Sequence, residues 1–178
     1  MRAPDLQTTN HDIRLIAPDV YRDAPISVEW LAGEQGRESL RLMGVTDADN
    51  QPTTLELEQV RVKEFIENTD QLNWMIEASG KIVGSIWVDL IPSEYLPAPS
   101  IHIMIGEPAV RGQGIGPTVT KSVMKYILDQ GRTSIYTRHL VSNTNVAKMF
   151  NRMGFVPVGD SYSDSDNLTW QNLTLLNS

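Results

Sequence analysis

The chain has 178 residues with 22 acidic against 15 basic side chains, a net charge of −7. Apolar residues make up 40% and charged ones 21%, enough apolar material for a sizeable core and too much for a disordered chain. There is no cysteine, so disulfides, thiolate catalysis and cysteine metal sites are excluded, and three histidines without a clustered pattern give no metal motif.

The N-terminal MRAPDLQTTN lacks the apolar core of a secretion signal, and no run reaches transmembrane length. A cytoplasmic chain with no membrane partner is therefore expected, and the negative net charge weighs against nucleic acid. Along the chain, DIRLIAP (12–18) reads as a first strand, and 25–43 as two short helices broken near Gly33 or Gly36. VTDADNQPTT is a polar loop, and LELEQVRVKEFIEN places Leu55, Val62, Phe65 and Ile66 among charges as an amphipathic helix does. QLNWMIEA and KIVGSIWVDL, joined by a short polar turn, make a hairpin, and the three prolines of 92–99 impose a loop. SIHIMI is the next strand. Val119, Val123, Tyr126 and Ile127 then mark one face of a helix that stops at Gly131. TSIYTRHLV, TNVAKMFNRM closed by Gly154, FVPVGD and NLTWQNLTLL follow as strand, helix, strand and strand. The order predicts a mixed α/β domain spanning residues 1–178, with hairpins early and a β–α–β arrangement later.

The strongest local signal is EPAVRGQGIGPTVTKSVM (107–124), where Gly112, Gly114 and Gly116 fall between a strand and a helix. Amides at a helix entrance point into open space, the dipole there favours anions, and glycines admit a phosphate with no Cβ in the way. Pro117 fits a first turn, which has no amide hydrogen bond to lose. The alternative is a glycine-rich turn that binds nothing. The spacing is neither the dinucleotide G-x-G-x-x-G nor a Walker loop. Charge supports the anion reading: residues 111–152 hold seven bases and one acid, a segment of +6 that leaves −13 elsewhere.

Arg111, Gly114 and Gly116 match R-x-x-G-x-G, and Asn143, Phe150 and Gly154-Phe155 follow at matching spacings. On these two motifs the chain resembles the GCN5-related N-acetyltransferase (GNAT) family, and IMIGEPAVRGQGIG is similar to its ribosomal-protein and aminoglycoside acetyltransferase branch. The resemblance implies a central, mostly antiparallel twisted sheet that splays between two middle strands, flanked by helices. It implies acetyl-CoA between SIHIMI and TSIYTRHLV, with its pyrophosphate on the backbone amides of Arg111, Gly112, Gln113, Gly114, Ile115 and Gly116 beside Thr118, and its other phosphates near Lys121, Lys148 and Arg152. Backbone at Met104, Ile105 and Gly106 would pair with the pantetheine. Asn143 would hold the same arm, with an N-cap of the next helix as the compatible alternative.

Two positions depart from the family's pattern. The usual tyrosine that protonates the leaving thiolate is Phe150 here, a cofactor contact that can pack against acetyl-CoA but cannot donate a proton, and the usual glutamate before the loop is Ser100. His102, on the same face as Ser100, is the candidate base, with Glu94 and Asp89 behind it; Tyr136 is the candidate acid. Acceptor contacts are assigned to Glu29, Trp30, Glu94 and Tyr95. The expected activity is acetyl transfer to a primary amine of a small cationic molecule. A protein N-terminus or lysine is one alternative acceptor, and a non-catalytic acyl-CoA sensor is the other reading. A small-molecule amine is the expected partner, and a homodimer stays open.

Overall fold

A computed structural model describes residues 3–176, so the outermost two residues at each end of the expected 1–178 domain lie outside the described residues. In chain order the elements are β1 (Leu6–Gln7), β2 (Ile13–Ile16), α1 (Val20–Leu31), α2 (Gly33–Leu42), α3 (Leu55–Glu67), β3 (Gln71–Ala78) and β4 (Lys81–Asp89). Next come β5 (Ser100–Ile105), α4 (Ile115–Asp129), β6 (Ser134–Leu140), α5 (Thr144–Arg152), β7 (Val156–Pro157), β8 (Tyr162–Ser163) and β9 (Thr169–Leu176). All the strands join one sheet in the order β1-β2-β3-β4-β5-β6-β9-β7, with β8 attached to β9.

The expected elements appear, with three differences. Helix α1 begins at Val20, five residues before Pro25, because Asp19 caps it by accepting the Arg22 amide at 2.9 Å. Asp23, fully buried in its first turn, is held by the Arg22 guanidinium and by the Asp19 amide at 2.7 Å. Pro25 therefore lies inside the helix rather than at its start. The two-residue strands β1 and β8 were not foreseen, nor was the 3-10 turn at Pro108–Val110.

Strand alternation divides the core. One face carries Trp74, Ile76, Ile86, Val88, Ile101 and Ile135, which pack against Val119, Val123 and Ile127 of α4 and against Phe150 of α5. Fully burying one such side chain contributes about 1.5–3 kcal/mol, so this face dominates the stability. The other face offers Met75, Ile82 and Met104 to Trp30 of α1 and Phe65 of α3.

What positions the site is the seam between β5 and β6. Strands β4 and β5 pair from Asp89↔Ser100 to Gly84↔Ile105, and β6 pairs with β9 along its whole length. By contrast β5 and β6, which run parallel, are in register at Ser100↔Tyr136 alone and then part toward their C-terminal ends. The amides of Gly106 and Glu107 both donate to the Val83 carbonyl, at 2.9 and 3.1 Å. That doubled contact is a bulge, and it turns the chain out of β5 beside the gap.

Candidate active site

Backbone direction decides what faces the gap. The Tyr136 amide donates to the Pro99 carbonyl at 2.9 Å, the Thr137 hydroxyl to Ile101 at 2.8 Å and Arg111 Nε to Ile105 at 3.0 Å. Residues two apart on a strand point their amides and carbonyls the same way, so Ile103 belongs to this set. The Ile103 amide and carbonyl and the Ile105 amide therefore face the opening. Met104, in register with Ser85, directs its amide to β4, and the Gly106 amide is bound to Val83. Of the three residues expected at this place, Ile105 alone presents an amide to the gap, and Ile103 was missed.

Beyond the strand, Gly112 (φ +76°) and Gly114 (φ +82°) adopt left-handed conformations, and a Cβ built on either would meet nothing within 4 Å. Gly114 is the N-cap of the 15-residue α4 and offers no side chain to its amides. Among the described residues the amides of Gly112, Gly114, Ile115 and Gly116 have no hydrogen-bond partner. A side-chain-free shell of donors at the positive end of a helix fits a pyrophosphate. Thr118 Oγ1 returns to the Gly114 carbonyl at 2.9 Å, Gln113 Nε2 to Ala109 at 2.9 Å, and the Ile115 side chain is buried, so the loop is internally braced.

The Arg111 side chain turns away from this shell. Besides Ile105 it donates to Ser39 Oγ at 2.9 Å and to the Gly106 carbonyl at 3.3 Å, pinning the loop to β5 and α2. Beside the loop lies a cleft of about 450 Å³ walled by Lys121, Lys148 and Arg152 with Pro117 and Met149. The three cations expected near the phosphates thus meet at one place. Asn143 caps α5, its Oδ1 accepting the Val146 amide at 3.3 Å while Nδ2 reaches the Leu42 carbonyl at 3.4 Å. Phe150 is 2% exposed and edge-on to Phe155 at 5.1 Å, inside the core.

On the opposite face of the sheet, a cavity of about 350 Å³ lies between α1, α3 and the strands. Trp30, Val62, Phe65, Met75, Trp87 and Met104 form the apolar part of its wall, and Ser27, Gln71, Ser85 and Arg61 are among its polar residues. The Trp30 indole lies so close to Gly106 that a Cβ there would fall 2.0 Å from its ring. Glu58, 3% exposed and bound by Arg61 and Thr53, is the one acid on the wall.

Trp87 stacks on His102 with ring centroids 5.3 Å apart. His102 Nε2 lies 2.9 Å from Asp89 Oδ2 and 3.2 Å from Ser100 Oγ, and Asp89 Oδ1 accepts from Gln71 Nε2 at 2.7 Å. Partial burial opposes ionisation of Asp89. The hydrogen bond and charge of His102, the Gln71 amide and the Arg138 guanidinium outweigh it and hold the carboxyl below its usual range. An Nε2–H donated to Asp89 leaves Nδ1 as the basic nitrogen of His102. Tyr136 stands in register with Ser100 where the two strands part.

Of the acceptor residues expected, Trp30 lines this cavity. Glu29 and Glu94 are exposed and are not on its wall. Tyr95 stacks on Tyr162 at 5.5 Å, and its carbonyl accepts from Asn172 Nδ2 at 2.7 Å, so the 92–99 loop leans on β8 and β9 instead of covering the cavity. Asp89 as the partner of His102, Phe65, Trp87 and the Glu58–Arg61 pair were not singled out as a group by the sequence.

A family model described as the acetyltransferase (GNAT) domain matches residues 15–156. N-acetyltransferase 8 of Rattus norvegicus is 27% identical over 112 residues, covering 61% of this chain and 49% of that protein. Its Mus musculus counterpart is 25% identical over 99 residues, covering 54% and 43%. The chain thus spans about half the length of the curated relatives it matches. Among solved structures, the microcin C7 self immunity acetyltransferase MccE, in complex with acetyl-CoA and AMP, superposes with a TM-score of 0.75 at 14% identity, covering 94% of each chain. The ribosomal L7/L12 alpha-N-protein acetyltransferase RimL, in complex with coenzyme A, gives 0.77 at 14% identity over 96% of this chain and 97% of that one. The aminoglycoside acetyltransferase AAC(6')-Ib, with coenzyme A, gives 0.70 at 15% identity over 92% and 93%. The family model spans most of the chain, and the fold and the glycine loop agree with it: the chain belongs to the GNAT acetyltransferases, a family whose acyl donor is acetyl-CoA.

Proposed function

We propose that the chain transfers the acetyl group of acetyl-CoA to a primary amine of a small molecule by direct attack in a ternary complex. The observation that carries this reading is the gap between β5 and β6, which has a phosphate-fitting loop at one end and a walled cavity on the sheet's other face. Acetyl-CoA supplies an activated thioester there. The amides of Gly112, Gly114, Ile115 and Gly116 would hold the pyrophosphate, with Lys121, Lys148 and Arg152 answering the remaining phosphate charge. Ile103 and Ile105 would pair with the pantetheine as an added strand. The Ile105 amide would donate to the thioester oxygen, where negative charge grows during attack.

An alkyl ammonium has a pKa of about 10.4 and must lose a proton before it attacks. His102 Nδ1 takes that proton, while Asp89 holds the opposite ring nitrogen and steadies the imidazolium. The C–N bond forms, the C–S bond breaks, and the electron pair leaves on sulfur. With a thiol pKa of about 8.5 the thiolate departs with little assistance, and Tyr136 is the group assigned to give it a proton and to take up in exchange the second proton that the nitrogen sheds as the amide forms. Phe150, buried in the core, takes no part in that step.

The test is CoA thiol release from acetyl-CoA over a panel of small amines, with the N-acetylated product followed by mass spectrometry. Equal amounts of thiol and product with at least one small amine are expected. Acetyl-CoA binding without turnover on that panel would refute the small-amine reading.

A further inference from the structure

The wall of the acceptor cavity names a narrower class of amine. Its volume, about 350 Å³, is at the low end of the ~300–1,000 Å³ usual for small-molecule sites. Trp30, Phe65 and Trp87 supply aromatic surface, with Val62 and Met104 among the aliphatic residues of the wall and Gln71 and Arg61 among its polar ones. The one carboxylate, Glu58, is buried and already bound to Arg61 and Thr53. An ammonium group drawn into the cavity would find no free counter-charge on its wall, and buried unpaired charge is strongly disfavoured. The base adjoins this apolar space, because His102 stacks on the cavity-lining Trp87.

We infer that the acceptor is a monoamine whose nitrogen is borne on an aromatic or branched aliphatic group, and that polyamines and aminoglycosides are poor acceptors. This rests on the acetyl-transfer reading above. The hydrophobic group fills the space between Trp30 and Phe65, and the amine emerges beside Trp87 toward His102 and the β5–β6 gap. A ring buried in such a pocket contributes far more than the ~10–200-fold that a single methylene does, so truncating it is costly. The −13 charge outside residues 111–152 draws cations to the surface in general, and the wall then selects the apolar ones.

Two tryptophans on the wall allow a binding test that needs no turnover. With CoA present, phenethylamine should quench tryptophan fluorescence saturably, while spermidine and kanamycin should not saturate over the same range. With acetyl-CoA, phenethylamine should exceed spermidine at least a hundredfold in kcat/KM. Met43, on the cavity wall at the C-cap of α2, gives the second arm. Met43→Glu should lower the phenethylamine-to-spermidine ratio tenfold or more, a change of preference that a general folding defect would not produce. Saturation by spermidine as tight as by phenethylamine, saturation by neither, or an unchanged ratio in Met43→Glu would overturn the inference. The underlying reading fails separately, if acetyl-CoA itself does not bind.

Discussion

Gly114→Ala separates the cost of a strained backbone from the cost of a lost phosphate site. Gly114 has φ +82° with nothing within 4 Å of the position a Cβ would take. An L-residue in the left-handed region costs about 1–2 kcal/mol, partly offset by the ~0.4–1 kcal/mol that alanine removes from the unfolded chain. The net loss is about 1 kcal/mol, a fall in Tm of roughly 2–4 °C for a domain of this size. Gly131, just past the end of α4, is a matched control: its φ is +83° and its Cβ position is equally empty. Gly131→Ala should therefore cost the same stability. The two variants should differ in acetyl-CoA affinity, read by isothermal titration calorimetry. A methyl at Gly114 would enter the open space that the phosphate would use, and losing one charge-assisted hydrogen bond (~1.5–3 kcal/mol) weakens binding about tenfold to a hundredfold. Gly131→Ala should bind as the unaltered protein does. If Gly114→Ala keeps its affinity, or if both variants lose it alike, the loop is not the phosphate site.

His102→Ala should reduce kcat by about a hundredfold or more, with acetyl-CoA affinity unchanged. Asp89→Asn should lower kcat less and leave both substrates bound; a full rate in His102→Ala would remove His102 as base. Asp89 also gives a stability prediction with a definite sign. Its carboxyl is held below the usual range when folded, so its contribution is present above the unfolded value of about 3.9 and is lost as pH falls through the folded one. Between about pH 6 and pH 3, the urea midpoint of Asp89→Asn should therefore fall less than that of the unaltered protein; equal falls would contradict the ion pair. Phe150→Tyr places a hydroxyl in the core beside Phe155, at a cost of about 1–3 kcal/mol if unpaired, with no gain in turnover. Faster CoA release at an unchanged Tm would show that this position reaches the leaving sulfur.

Period and punctuation made most of the elements legible. The β3–β4 hairpin with its short polar turn, the four-residue spacing of Val119, Val123 and Ile127, and the glycine loop are local patterns that the neighbouring chain enforces. The start of α1 was also written locally, in Asp19 three residues before the amide it caps near Arg22, but Pro25 drew attention to the wrong boundary. The site depends on distant pairings that no local pattern encodes. Asp89 meets His102 because the β4–β5 register sets Asp89 opposite Ser100 and Trp87 opposite His102 across a ten-residue loop. Arg111 reaches Ser39 across 72 residues, a brace that no local pattern announces, and the amides of Arg111 and Gln113 are taken by the Pro108 and Val110 carbonyls. The direction of the Ile103 amide follows from β6 departing after Ser100↔Tyr136, a fact of pairing and not of composition. The cavity wall draws on α1, α3 and three strands at once, and this is why Trp30 alone among the expected acceptor residues lines it.

The most direct measurement is a crystal structure of the protein with coenzyme A. The account predicts diphosphate density within hydrogen-bonding distance of the Gly112, Gly114, Ile115 and Gly116 amides, pantetheine paired with Ile103 and Ile105, and the thiol in the gap facing the cavity behind Trp87. Coenzyme A bound elsewhere, or a pantetheine arm that leaves the β5–β6 gap empty, would contradict it.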